Sequence, residues 1–346
     1  MLANKNRADI TIIRVISMLM IVLCHIIKFY TFIPGSQIYG QFLNVGVEVF
    51  FAMSGYLYGR KNISDFKGWI KKRIQRIWVP IAILVLVDYF ILVSIFGETI
   101  PVTTLMVYLL NLQGLLFVSS DFFGKFFSAI PNLGPLWFTT IIMICYLLLP
   151  LFQRFRDKCT KRANKKTIYI VCIISLFCVS LLIQAMTHTT TFYIFVFLSG
   201  YLLADLKIEN TDYSRTKVVS LVVTISALIL TRVVLRRFID GTALYSLLVS
   251  IEHSIMGISL LCLGIELGKK FKKLFERIGH SAVVYLLDGA SFYIYLVHGI
   301  FCAGITSIYG KVNLVLASII FIAATLICAK ILWVLTDLIN GRINQN

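Results

Sequence analysis

The chain has 346 residues, of which 59% are hydrophobic and 14% charged, and its net charge at pH 7 is +17. Soluble globular proteins carry roughly a quarter charged and a little under half apolar residues, so this composition excludes that class. The basic excess does not indicate a nucleic acid partner, because the Lys and Arg residues form short clusters between apolar segments, as in the cytoplasmic loops of membrane proteins. We therefore expect an integral membrane protein embedded in a lipid bilayer.

Ten apolar segments follow one another along the chain, each close to the roughly 20 residues that cross a bilayer as a helix. The first segment holds Arg14 and is too long for the core of a signal peptide, so we predict that it is a retained span. The predicted fold class is all-α, a polytopic membrane helical bundle of about ten transmembrane helices. The predicted spans are residues 10–32, 41–59, 77–97, 133–153, 167–187, 190–206, 218–238, 243–267, 289–309 and 312–335.

A further apolar segment, residues 102–123, contains the polar residues Asn111 and Gln113. If it crossed the membrane, the basic clusters at 154–166 and 269–277 would face outward, against the positive-inside rule. We therefore predict that this segment is re-entrant or interfacial, with its polar groups buried in protein. Both termini are then predicted to lie in the cytoplasm, and no internal repeat or separate soluble domain is expected.

Arg14 and His25 lie eleven positions apart on the first predicted span. At about 100° and 1.5 Å per residue they share one helix face and are separated by about 16 Å along the axis. Because a charge at mid-bilayer costs about 2.5–3.5 kcal/mol on insertion scales, such residues mark candidate functional sites. The pair suits a long ligand that carries phosphate. The alternative is an Arg that reaches the interface and a His bonded to a backbone carbonyl.

Glu48 lies about seven residues, or about 10 Å, from the outer start of the second predicted span. His25 is expected at a similar depth, and a carboxylate there can orient the imidazole and raise its basicity, as a general base requires. A structural hydrogen bond to a helix end is the alternative for Glu48. Ser54, on the same span, belongs to a surface of small and aromatic residues that is more often used for packing.

Arg73 and Arg76 lie three residues apart at the predicted cytoplasmic end of the third span. Their guanidinium groups are suited to phosphate oxygens, although ordinary positive-inside anchoring explains them equally well. His298, Asp88 and the neighbours Glu252 and His253 also fall within spans, where they either line a polar cavity or pair inside the bundle. No Cys or His spacing is typical of a metal site, so no metal is expected.

Taken together, these segments resemble the membrane-bound acyltransferase 3 family, which includes bacterial surface-polysaccharide O-acetyltransferases. Arg14 and His25 match its R-x10-H motif. VGVEVFFAMSGYL (45–57) is similar to its GVxxFFxxSGYL signature, and KKRIQRIWVP (71–80) is similar to R-x-x-R-x-x-x-P. LWFTTIIMICYLLLP (136–150) and SFYIYLVHGI (291–300) match its LWF…Y…P and S-x-x-x-YLxH elements.

The resemblance implies a single integral membrane acyltransferase domain over residues 1–346, in the bacterial cytoplasmic membrane. It implies an acyl-CoA donor, acetyl-CoA by default, bound from the cytoplasm, and as acceptor a hydroxyl of a surface-polysaccharide, exopolysaccharide or lipid-linked sugar. His25 is then catalytic, with Arg14, Arg73 and Arg76 near the donor phosphates. Glu48 falls where the family often carries an acidic residue. His298, Trp137 and Ser54 are assigned to the substrate cavity, and Ile142 replaces a Glu found in many members.

Our hypothesis from these residues is that His25, oriented by Glu48, removes a proton from the acceptor hydroxyl as that oxygen attacks the acyl carbonyl. A covalent acyl-histidine relay is a second route. Two other functions compete with acyl transfer. One is a transporter or exporter of a polysaccharide or small molecule, and the other is a non-catalytic membrane anchor or sensor. The oligomeric state stays open.

Overall fold

The computed structural model describes residues 7–29, 36–118, 120–160, 162, 164–187 and 191–343. Over these residues the chain is helical, as predicted, and holds no β-strand, only an isolated bridge between Tyr309 and Val312. Two short 3₁₀ turns cover Pro131–Leu136 and Ile208–Asn210. The helices are α1 (Ala8–Phe29), α2 (Ser36–Leu43), α3 (Gly46–Gly59), α4 (Phe66–Ser94), α5 (Val102–Leu109), α6 (Gly114–Val118), α7 (Ser120–Phe123), α8 (Trp137–Leu147), α9 (Leu149–Thr160), α10 (Lys165–Thr187), α11 (Phe192–Asp205), α12 (Arg215–Ile239), α13 (Ala243–Lys270), α14 (Lys272–Gly279), α15 (Ala282–Cys302) and α16 (Leu314–Ile343).

Among the described residues, seven helices are long and apolar enough to cross a membrane, namely α1, α4, α10, α12, α13, α15 and α16. A bend of 44° separates α8 from α9, next to Pro150, and the pair makes an eighth if it forms one span. The two remaining predicted spans correspond to α3 and α11, of 14 residues each. At 1.5 Å per residue each measures about 21 Å, against about 30 Å of hydrocarbon. Ten spans are therefore not confirmed, and residues 30–32 and 190 of the predicted spans lie outside the described part.

The segment 102–123 folds into the three short helices α5, α6 and α7 instead of one long helix. Its buried amide groups are bonded to the start of α8. Gln113 donates from Nε2 to the carbonyl of Leu136, 2.9 Å away, and the hydroxyl of Thr140 donates to the carbonyl of Asn111, also at 2.9 Å. Several polar groups of this segment are thus hydrogen-bonded within the protein, whereas Oε1 of Gln113 is buried without a partner among the described residues.

The chain divides into two compact units. Unit 1 consists of Met1–Ile21, Phe42–Ser64 and Leu148–Gly289, and unit 2 consists of Val22–Gln41, Asp65–Leu147 and Ala290–Asn346. Two helices, α1 and α15, begin in unit 1 and end in unit 2. Each of them can therefore contribute side chains to both units.

Within unit 1, α3 packs tightly against α11 through glycine. A Cβ on Gly55 would lie 1.9 Å from the carbonyl oxygen of Phe197, and one on Gly200 would lie 1.9 Å from that of Ala52. Only glycine allows this approach of two backbones, which is the mode of packing of small-residue motifs in membrane helices. Both helices carry the same four residues, Ser-Gly-Tyr-Leu, at 54–57 and 199–202. The sequence analysis does not single out this short duplication.

Candidate functional site

His25 and His298 lie against each other in unit 2. Nε2 of His298 is 3.3 Å from Nδ1 of His25, and the ring centroids are 4.9 Å apart. His298 is fully buried, whereas His25 is half-buried. The sequence analysis assigned both residues to the site but paired His25 with Glu48, so the direct contact between the two imidazoles is a finding of the structure.

The hydrogen-bond network assigns the tautomers of this pair. Nδ1 of His298 lies 2.6 Å from the carbonyl oxygen of Tyr295. A carbonyl only accepts, so this nitrogen carries the proton, and Nε2 of a neutral His298 accepts from Nδ1–H of His25. This tautomer makes Nε2 the basic nitrogen of His25, which is the atom that a general base uses.

The 3₁₀ turn before α8 holds the His298 ring in place. A Cβ on Gly299, the next residue along α15, would lie 2.8 Å from the carbonyl oxygen of Asn132 in this turn. The hydroxyl of Tyr295 donates to the carbonyl of Pro135 in the same turn. Because α15 is pressed against the turn through these contacts, the imidazole of His298 has a fixed position from which to orient His25.

Trp137 follows this turn as the first residue of α8 and is half-buried. Its neighbour Phe138 packs edge-on against Tyr295 with ring centroids 5.2 Å apart. The predicted cavity residue Trp137 therefore belongs to the element that supports the helix of His298. Ile142, further along α8, is buried with 3% exposure, and α8 contains no acidic residue.

Arg14 is ion-paired in unit 1. Its Nη1 lies 2.6 Å from Oδ1 of Asp288, and the two side chains are 14% and 8% exposed. Asp288 is on α15, ten residues before His298. The parts of α1 and α15 that lie in unit 1 thus form an ion pair, and the parts in unit 2 form the histidine pair. Since α1 is continuous from Ala8 to Phe29, Arg14 and His25 are separated by about 16 Å along it, as the spacing predicts.

Arg73 and Arg76 lie on the first half of α4 in unit 2, and both are half-buried. The guanidinium of Arg73 sits 5.7 Å above the ring of Trp69. A spacing of three residues puts the two cations on one helix face, and aromatic neighbours limit the movement of at least the first of them.

Glu48 lies in unit 1, where its described partner is His253. Oε1 of Glu48 is 3.4 Å from Nδ1 of His253, while Nε2 of the same imidazole lies 2.6 Å from Nη1 of Arg232. Arg232 also lies 3.3 Å from Oε2 of Glu252, and these four side chains are at most 7% exposed. We call them the unit 1 charge cluster. The predicted orientation of His25 by Glu48 finds no support among the described contacts.

The sequence analysis missed Arg232 as a member of a buried cluster. It falls inside the predicted span 218–238 and lies on α12 with 6% exposure. A cation well inside an apolar span was the available signal, since such residues almost always have a partner inside the protein. Ser54, the remaining predicted cavity residue, is half-buried on α3, beside the glycine that contacts α11.

The described part of the chain shows no arrangement of side chains typical of a metal site. Over the described ranges, no group of three or more His, Cys, Asp or Glu side chains is placed to hold a metal ion. The buried histidines are engaged otherwise: His298 contacts His25 and a carbonyl, and His253 contacts a carboxylate and a guanidinium.

Comparison with known proteins gives one match. A family model described as an acyltransferase domain matches residues 7–334, which include parts of both units and all of the candidate residues above. No curated protein and no solved structure matches the chain.

Proposed function

Since the chain belongs to the acyltransferase 3 family, we propose that this multi-pass membrane protein transfers an acyl group, acetyl by default, from cytoplasmic acyl-CoA to a hydroxyl of a surface-polysaccharide or lipid-linked sugar. The observation that carries the proposal is the contact between His25 and His298. It supplies a half-buried imidazole with a defined basic nitrogen, which is what proton removal from a hydroxyl requires.

In the proposed reaction, Nε2 of His25 takes the proton of the acceptor hydroxyl as its oxygen attacks the carbonyl carbon of the thioester. The carbon–sulfur bond then breaks, the ester forms, and the imidazolium of His25 returns its proton to the departing thiolate. His298 is a positioning residue, because its Nε2 accepts from Nδ1–H of His25 in both protonation states. It takes the place that a carboxylate holds in a Ser-His-Asp triad.

We assign the donor phosphates to Arg73 and Arg76. Both are half-buried cations on one face of α4, and a guanidinium fork suits phosphate oxygens. In the proposed orientation, with both termini in the cytoplasm, they lie at the cytoplasmic end of α4 in the bacterial cytoplasmic membrane.

The contribution of Arg14 follows from its ion pair. Asp288 already lies 2.6 Å from its guanidinium, so a phosphate at this point would meet a carboxylate. We therefore assign Arg14 to tying α1 to α15, the two helices that carry His25 and His298 further along. We expect substitution of Arg14 to reduce activity because α1 and α15 would no longer be held together by this ion pair.

The test of this function is His25→Ala, with His280→Ala as the matched control, because His280 is exposed after the end of α14. Transfer of labelled acetyl from acetyl-CoA to cell polysaccharide is measured in membranes that contain equal amounts of each variant. We expect H25A to lower transfer at least about 100-fold, as for loss of a general base, and H280A to have no effect. Retained transfer by H25A would remove the proposed mechanism.

A second candidate function is transport, and the unit 1 charge cluster is the observation that favours it. Four buried ionisable side chains within membrane helices are typical of ion and proton pathways. Binding of labelled acetyl-CoA to the purified protein distinguishes the two functions. An exporter of neutral sugar needs no acetyl-CoA site. Transport would therefore be favoured if the purified protein does not bind acetyl-CoA and cells that lack the protein no longer export polysaccharide.

A further inference from the structure

Asp88 is a buried carboxylate in unit 2 that the mechanism above does not use. It lies on α4 and is 2% exposed. Its Oδ1 accepts a hydrogen bond from Nδ2 of Asn132, 3.2 Å away. Its Oδ2 is buried and has no hydrogen-bond partner in the part of the chain that the structure describes.

No described residue supplies a hydrogen-bond donor to this oxygen. Buried polar atoms are hydrogen-bonded in the great majority of cases, and a carboxylate inside a membrane helix is costly in addition. One hydrogen bond from the neutral amide of Asn132 does not compensate a negative charge. No ion pair of Asp88 is present among the residues described, so a structural role accounts for only one of its two oxygens.

Asn132 connects Asp88 to the histidine pair. A Cβ on Gly304 would lie 1.8 Å from Oδ1 of Asn132, and a Cβ on Gly299 would lie 2.8 Å from its carbonyl oxygen. Gly299 directly follows His298. Asp88 is therefore linked through Asn132 and Gly299 to His298, the imidazole that contacts His25, and all of these residues belong to unit 2.

The position of Asp88 along its helix fits the side from which an acceptor enters. Asp88 lies six residues before the end of α4, and His25 lies four residues before the end of α1. In the proposed orientation both helices run outward, so each side chain is about 6–9 Å from the outer end of its helix.

We propose that Asp88 binds the acceptor, with Oδ2 accepting a hydrogen bond from a hydroxyl of the sugar other than the one that reacts. This inference rests on the proposed function and names the residue that selects a polyhydroxyl acceptor. His25 remains the base, and Asp88 takes no proton in the reaction. A site that holds a substrate hydroxyl in this way rejects analogues that lack the hydroxyl.

The test is Asp88→Asn in the purified full chain in lipid nanodiscs. The acceptor probe is the polysaccharide of the source cell after mild alkaline removal of its ester groups, and the donor is labelled acetyl-CoA. Asn keeps the size of Asp and an oxygen for Asn132, but it replaces the other oxygen with a donor. We expect KM for the polysaccharide to rise about tenfold or more, as for loss of a hydrogen bond to a charged group, with kcat and KM for acetyl-CoA within about threefold of wild type.

Asp337→Asn is the matched control, since Asp337 is an exposed carboxylate on α16 of the same unit; it is expected to change neither KM. An unchanged KM for polysaccharide in D88N, or a loss of kcat alone, would overturn the inference. If D88N does not fold, D88S is measured in the same way, and failure of both to fold would show that Asp88 serves the fold only and would likewise overturn it.

Binding of the labelled polysaccharide without acetyl-CoA separates this inference from the proposed function. If wild type binds the polysaccharide at least about tenfold more tightly than D88N but transfers no acetyl group, the site of Asp88 stands and the proposed reaction fails. If wild type transfers acetyl and both proteins bind equally, the reaction stands and the role of Asp88 fails.

Discussion

Each unit buries a histidine with both ring nitrogens engaged, and the partners of the two histidines differ. In unit 2, His298 donates to a backbone carbonyl and accepts from another imidazole, that of His25. In unit 1, His253 lies between the carboxylate of Glu48 and the guanidinium of Arg232. An arginine only donates, so Nε2 of His253 must accept and its Nδ1–H points to Glu48.

The difference explains why the proposed general base lies in unit 2, next to His298. In unit 1 the arginine occupies the one lone pair of His253, so protonation of this imidazole would break that bond and bring two cations together. In unit 2 the partners of His298 are a backbone carbonyl and the imidazole of His25, whose Nε2 is the basic nitrogen. Both His298 and His253 are buried within candidate spans, so burial alone does not separate a catalytic role from a structural one. Their hydrogen-bond partners do.

The largest effect is expected on stability, from Arg232→Met in unit 1. Removing this 4% exposed cation leaves the carboxylates of Glu48 and Glu252 without compensation, and breaking a buried ion pair costs about 3–5 kcal/mol. The free energy of unfolding in detergent measures this. Arg236→Met is the control, because Arg236 lies one turn later on α12 in a more exposed pair with Asp240 and is expected to lose at most about 1 kcal/mol. If both variants lost the same free energy of unfolding, the unit 1 charge cluster would be no more important for stability than the exposed pair of Arg236 and Asp240.

The next effect concerns catalysis, from His298→Phe in unit 2. Phe keeps a ring but removes both nitrogens, so His25 loses the group that sets its tautomer, and we expect kcat to fall about 100-fold with both KM values retained. His298→Gln is the conservative comparison, since its amide oxygen can accept from His25 and is expected to restore part of kcat. If both variants lose activity equally, or if KM changes with kcat, His298 does not act through His25.

The smallest effect is expected for Arg73→Lys on the donor side of unit 2. Lys keeps the charge but loses the guanidinium fork and the stacking on Trp69. We expect KM for acetyl-CoA to rise about tenfold with kcat and KM for the acceptor unchanged. Arg154→Lys, at an exposed position on α9 in unit 1, is the control and should leave all three constants at the wild-type values. A change in KM for the acceptor alone would remove Arg73 from the donor site.

Much of the helical fold could be predicted, because apolar length and basic clusters follow directly from the cost of polar groups in lipid. Asn111 and Gln113 predict, for the same reason, that segment 102–123 does not cross the membrane, and the structure divides this segment into three short helices. The lengths of α3 and α11 were not predicted. In these helices Gly55 and Gly200 each lie against the backbone of the other helix, at Phe197 and Ala52.

The sequence predicts candidate site residues but not the contacts between them. The spacing of residues along one helix predicts how far apart they lie and which helix face they share. Arg14 and His25 lie on α1 and Glu48 lies on α3, as this reasoning requires. The spacing gives no information about which neighbouring helix faces them, and Glu48 was assigned to His25 although the structure pairs it with His253. Which helices are neighbours depends on close packing over the whole chain, as with Gly257 of α13, whose Cβ would lie 2.4 Å from Cβ of Glu48.

The bonds from segment 102–123 to α8 impose an order on biogenesis. The amide of Gln113 and the carbonyl of Asn111 are satisfied by Leu136 and Thr140, which leave the ribosome later. Until then these groups have to keep their water, so we expect the nascent segment to stay at the membrane surface until α8 has been synthesised. A chain truncated before α8 would therefore leave this segment outside the lipid, accessible to a protease added to the vesicles.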